Sequence, residues 1–140
     1  MFCVDRHRRD FLELVTSDVD VLLANETEIT SLFQVRHLGA AFEAINELGL
    51  LAVVTRGPQG ADVVLPSGVV SVPAREVEMV VDQNGAGDMF AAGFLYGLAL
   101  GADPVEAAEL GSLCAGEVIT HLGARPESDL ELLGIEAGLL

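Results

Sequence analysis

Val80-Val81-Asp82-Gln83-Asn84-Gly85-Ala86-Gly87-Asp88-Met89-Phe90 is the stretch on which the reading of this chain turns. A β-branched run ends in an acid. A Gly-Ala-Gly turn follows, and a second acid opens an apolar segment that reaches Ala102. This order reads as strand, glycine turn and helix N-terminus. A helix start presents unpaired N–H groups and the positive end of a dipole, so it is a natural seat for phosphate. Glycines allow positive φ and let an anion come close. Asp88 would repel phosphate as a structural choice, but it makes sense as a general base for a hydroxyl attacking that phosphate. Asp also favours helix starts, so the stretch alone fits an ordinary capped helix equally well.

Toward the C-terminus, Gly101-Ala102-Asp103-Pro104 is a break, with Asp103 as cap and Pro104 opening a helix to about residue 120. Gly123-Ala124-Arg125-Pro126 is a loop, and one more short helix is expected after Ser128. Toward the N-terminus, Val77 to Val81 reads as a strand leading into the turn. Asp62–Leu65 and Val69–Val72 flank Pro66-Ser67-Gly68 as a hairpin. Leu51–Thr55 is a strand running into the turn Arg56–Gly60. Residues 38–48 form a helix closed by Gly49. Val19–Ala24 is a buried strand that stops at Asn25-Glu26-Thr27-Glu28, where Asn25 and Glu28 have capping-box spacing. Residues 5–16 make an amphipathic helix.

Strands alternating with helices, plus one hairpin, predict an α/β domain with a mainly parallel sheet. Ligands in such sheets bind beyond the carboxyl ends of the strands. Asn25–Glu28, Thr55–Gly60 and Asp82–Asp88 each follow a predicted strand directly.

The chain has 140 residues, enough for one domain and one core. Its formal net charge of -15 disfavours nucleic acid and anionic membranes as partners. Cys3 and Cys114 lack metal-ligand spacing and read as reduced thiols of a cytoplasmic protein. His7, His37 and His121 are scattered and are expected at the surface. A dinucleotide fingerprint fails because Phe90 stands where a third glycine is required, and no Walker A lysine motif exists.

These motifs together resemble the C-terminal part of a PfkB-type carbohydrate kinase, of the ribokinase and adenosine kinase group. The family signature D-T-x-G-A-G-D stands here as Asp82-Gln83-Asn84-Gly85-Ala86-Gly87-Asp88. N-x-x-E matches Asn25–Glu28, T-x-G-x-x-G matches Thr55–Gly60, and G-A-x-P matches Gly123–Pro126. The resemblance covers nearly the whole chain, read as one ribokinase-like kinase-domain fragment over residues 1–140, and is nearer the adenosine kinase branch.

The resemblance implies ATP-dependent phosphoryl transfer to a hydroxyl of a sugar or nucleoside, with adenosine the first candidate. Asp88 would be the catalytic base. Gly85, Ala86 and Gly87 would form the anion hole for the transferring phosphoryl. Asn25 would lie near the phosphates, and Glu28 would hold Mg²⁺ through water. Thr55, Gly57 and Gly60 would line the nucleotide, and its adenine would lie near residues 110–115, including Cys114. Asp82 and the Gly123 loop would contribute to a monovalent-cation site, with K⁺ as the ion. Gln83, where the family usually has Thr, departs from the pattern at that site. Relatives of this kind are roughly twice as long, and most acceptor contacts lie in their front part. A second reading therefore stays open: a non-catalytic fragment that binds nucleotide weakly, dimerises, or pairs with a complementing N-terminal half.

Overall fold

A computed structural model describes residues 2–140, which divide into two compact units. The first comprises the residues up to Arg56 together with Asp62–Val70, and the second comprises Gly57–Ala61 and Ser71–Leu140.

The first unit begins with helices α1 (Phe2–Arg6) and α2 (Arg8–Ser17), so the helix expected over 5–16 is broken at His7. Strand β1 (Val21–Asn25) leads through α3 (Glu26–Phe33) and α4 (Leu38–Leu48) to β2 (Leu51–Thr55). Two helices between the strands give the chain enough length to return in the same direction. β1 and β2 accordingly pair in parallel, from Val21 opposite Leu51 to Asn25 opposite Thr55. Gly49 ends α4 in the left-handed conformation, as its sequence position suggests.

After a 3₁₀ turn at Gly57–Gln59 come β3 (Ala61–Leu65) and β4 (Gly68–Val72), giving the sheet order β1-β2-β3-β4. The links from β2 to β3 and from β3 to β4 are too short for a crossover, so these pairs run antiparallel. Among the described residues, the parallel pair is β1 with β2. Ile29 and Leu32 of α3 and Ala41 and Ile45 of α4 cover Ala52, Val54 and Val64 of the sheet, and all of these are buried. Burying each large aliphatic side chain is worth about 1.5–3 kcal/mol, so this layer is the unit's main source of stability.

The second unit is built on α5 (Ala86–Leu100), α6 (Pro104–Val118) and α7 (Leu130–Glu136). Asp103 and Glu106 form a capping box at the start of α6, with Pro104 in the first turn. α5 and α6 pack backbone to backbone because glycines line the contact. A Cβ on Gly93 would stand 2.9 Å from the Leu110 carbonyl oxygen, and one on Gly111 would stand 2.7 Å from that of Phe90. Leu110, Leu113 and Cys114 form a core with Met89 of α5, Leu130 and Leu133 of α7, and Leu139.

Val77–Val81, expected as a strand, is not one. Its β-branched run has no neighbouring strand to pair with among the described residues, and Met79 is 66% exposed. The segment hangs on α6 instead. Ser112 donates its hydroxyl to the Pro73 carbonyl at 2.9 Å and accepts the Arg75 N–H at 2.8 Å. The Val81 N–H donates to the Ile119 carbonyl at 2.8 Å. No described helix is long and apolar enough to cross a membrane.

Candidate active site

In the first unit, Asn25 ends β1 and Thr55 ends β2, and parallel register sets them side by side. Asn25 Oδ1 accepts the Glu28 N–H, and Glu28 Oε2 accepts the Asn25 N–H, both at 2.9 Å. The spacing thus forms a real capping box, which fixes both side chains at the carboxyl end of the sheet. Arg56, the next residue after Thr55, lies 3.7 Å from Glu26 and 3.3 Å from the buried carboxylate of Asp62.

In the second unit, Gly60 closes the 3₁₀ turn at φ 88°. A Cβ there would stand 2.0 Å from the Val72 carbonyl oxygen, so no other residue fits without moving backbone. Gly57 is exposed, also with positive φ.

The turn from Asp82 to Asp88 is tied at both ends. Asp82 Oδ1 accepts the Asn84 N–H and Oδ2 accepts the Gly123 N–H, each at 3.0 Å. The Gly123 N–H, and then that of Asn84, hold the Asp82 carboxyl below the usual carboxylate range. Gly85 takes φ 82° as N-cap of α5, and no side chain closes that helix start. α2 likewise lacks a side-chain cap, whereas α3, α4, α6 and α7 each begin with one. The Ala86 N–H makes a long bond, 3.3 Å, to the Gln83 carbonyl. Gly87 follows with no atom within 4 Å of the place a Cβ would take. Asp88 is exposed in the first turn.

Cys114, expected along the nucleotide, is buried with its sulfur 2.8 Å from the Cβ position of Gly93, inside the α5–α6 contact. Burial raises its thiol pKa, and Glu117 adds to the effect. Cys3 is exposed, and both thiols are free. Beside the residue 110–115 stretch, a cavity of about 620 Å³ is lined by Pro73, Ala74, Arg75, Ser112, Leu113 and Leu139.

Glu117, not singled out in the sequence, and His121 also serve this region. Glu117 Oε1 accepts the N–H groups of Glu127 at 2.9 Å and Ser128 at 2.8 Å. His121, expected at the surface, has a side chain only 13% exposed, and its Nε2 lies 3.3 Å from Glu117 Oε2. Burial alone pushes Glu117 up, but the Ser128 N–H, the His121 ring and the Glu127 N–H outweigh it and hold the carboxyl low. Burial likewise works against a charged His121, and the bond to Glu117 leads the groups that raise its pKa overall. The signal available in the sequence was the i, i+4 spacing of Glu117 and His121 at the end of a helix.

With that geometry in place, comparison with known proteins is decisive. The model of the pfkB family carbohydrate kinases matches residues 4–130. The chain belongs to that family. Among curated pfkB relatives, an uncharacterized sugar kinase of Archaeoglobus fulgidus is 36% identical over 115 residues, covering 81% of this chain and 45% of its own length. A solved probable sugar kinase protein of Rhizobium etli superposes with TM-score 0.95 at 40% identity, over 99% of this chain and 42% of that one. The adenosine kinase of Sinorhizobium meliloti gives TM-score 0.93 at 41% identity, over 97% and 42%. The fold is therefore the ribokinase-like α/β fold of the pfkB kinases, and the chain spans less than half the length of these relatives.

Proposed function

We propose that this chain carries the nucleotide-binding and phosphoryl-transfer part of an ATP-dependent kinase for a sugar or nucleoside hydroxyl. The observation that carries the reading is the start of α5. A left-handed glycine replaces a side-chain cap there, and Asp88 stands in the first turn. The N–H groups of Gly85, Ala86 and Gly87 form the anion hole for the transferring phosphoryl, and Ala86 gives up its long bond to Gln83 to join it. Asp88 takes the proton from the acceptor hydroxyl as its oxygen attacks in line.

The family resemblance assigns Thr55, Gly57 and Gly60 to the nucleotide and the 110–115 stretch to its base. Cys114 supports that stretch from inside the core. The same resemblance assigns Asn25 and Glu28 to the phosphates. Among the described residues no three His, Cys, Asp or Glu side chains converge on one point. On the family resemblance, a magnesium ion would be held by phosphate oxygens and water, with Glu28 reaching it through water. When bound, the ion neutralises charge developing on the transferred group. A monovalent cation such as potassium would draw on Asp82 and the backbone carbonyls of the Gly123 loop. Similarity to the Sinorhizobium meliloti adenosine kinase makes adenosine the first acceptor to test.

A second reading rests on a separate observation. β1 stands at one edge of the sheet, and the matched relatives are more than twice as long as the aligned part. On this reading the chain alone binds nucleotide, and transfer needs a complementing N-terminal half or a second copy. Calorimetric titration with MgATP tests what the two readings share, because both require binding that is lost when Gly85 is replaced. Acceptor-dependent ADP release separates them.

A further inference from the structure

We infer that Glu117 is a positioning residue, clamping the loop from Gly123 to Ser128 so that this loop keeps the turn at the start of α5 in its anion-accepting shape. The inference rests on the function proposed above, since it assigns a support to that same site.

The loop is held at two ends by two carboxylates. At its front, Asp82 accepts the Gly123 N–H at 3.0 Å while also accepting the Asn84 N–H from the turn itself. Between these bonds, Ala124 lies so close to Gly85 that a Cβ there would stand 2.6 Å from the Ala124 Cβ. The shape of the turn thus depends on where Ala124 sits. At its back, the loop is held by Glu117 through the N–H groups of Glu127 and Ser128.

Glu117 is well placed for this work. Its side chain is 7% exposed, it projects from the last turns of α6, and His121 engages its second oxygen at 3.3 Å. One oxygen takes two loop amides and the other takes the imidazole, so the carboxylate is spent inside the protein and faces no ligand. His121 Nδ1 makes no hydrogen bond but lies 3.9 Å from Glu127 Oε1, close enough for an ion pair when the ring is protonated. Charge-assisted bonds such as those of Glu117 are roughly twice as strong as neutral ones. A carboxylate this buried is tolerated because it is hydrogen-bonded, and its partners join the end of α6 to the loop, so removing it leaves two loop amides without their acceptor.

The test uses Glu117→Ala, read by amide hydrogen exchange and by affinity for MgADP. Exchange at Glu127 and Ser128 is expected to rise at least about tenfold, and exchange at Gly123 and Asn84 to rise with it. Amides in the middle of α5 and α6 should keep wild-type protection. MgADP affinity should fall about three- to tenfold, on the same scale as one charge-assisted bond. Should the Ala variant not fold, Glu117→Gln keeps the volume and one acceptor. It should then restore protection at Glu127 and Ser128 while moving the His121 titration midpoint, read by NMR, back toward an ordinary imidazole. In Glu117→Ala, unchanged exchange at Gly123 and Asn84, or full MgADP affinity despite a loosened loop, overturns the inference and leaves the proposed function standing; in Glu117→Gln, an unmoved His121 midpoint does the same. A wild-type protein that binds no MgADP removes the proposed function itself.

Discussion

Gly85 and Ala124 are packed so closely that a Cβ on Gly85 would stand 2.6 Å from the Cβ of Ala124, and Gly85 sits at φ 82°. Two independent constraints therefore demand glycine at one position. Gly85→Ala must adopt a left-handed backbone and also displace the loop. We expect a loss of roughly 2–5 kcal/mol of stability, the sum of a strained φ and an overpacked contact. The urea midpoint should fall with unchanged m-value, and nucleotide binding should be lost under conditions where the variant is still folded.

Gly60 makes a related case outside the helix turn. A Cβ there would stand 2.0 Å from the Val72 carbonyl oxygen, which is backbone and cannot rotate away. Gly60→Ala is expected to cost at least about 3 kcal/mol. Gly57→Ala, with nothing within 4 Å, carries only the strain of its positive φ and should cost less, about 1–2 kcal/mol. Thermal denaturation of the two variants side by side checks the order, and equal losses would count against it.

Asp82 ties the turn to the Gly123 loop through N–H groups that lower its pKa. A carboxylate with a depressed folded pKa contributes stability above its unfolded value, about 3.9, and loses it as pH falls through the folded value. Asp82→Asn cannot accept both N–H groups, because its amide nitrogen is a donor. Its urea midpoint should lie below wild type at neutral pH. The gap should persist down to about pH 4 and close below it. A gap independent of pH would mean the carboxylate charge does no work there.

Local signals made most of the fold legible. The capping box at Asn25–Glu28, the Asp103 cap with Pro104, the stop at Gly49 and the hairpin at Pro66-Ser67-Gly68 all depend on residues a few positions apart. Val77–Val81 misled because a β-branched run states a preference for extended backbone, not the presence of a neighbour to pair with. The glycine turn and Asp88 could be read directly from the chemistry of a helix start. The tie from Asp82 to Gly123 spans 41 residues and entered only through the family resemblance. His121 was read as a surface residue because its partners, Glu117 and the loop at Glu127, are set by helix geometry and a returning chain rather than by local composition.

Acceptor-dependent release of ADP from MgATP, measured for wild type and Asp88→Asn with adenosine as the first acceptor, tests the central claim most directly. ATP affinity is followed in parallel by calorimetry. Removing the general base is expected to cut turnover about 10²–10⁴-fold while ATP affinity stays within about threefold. If wild type binds ATP but releases ADP only when a complementing N-terminal half is supplied, the same comparison is made in that complex. Near-normal turnover in Asp88→Asn, in either setting, would contradict the assignment of Asp88 as the base.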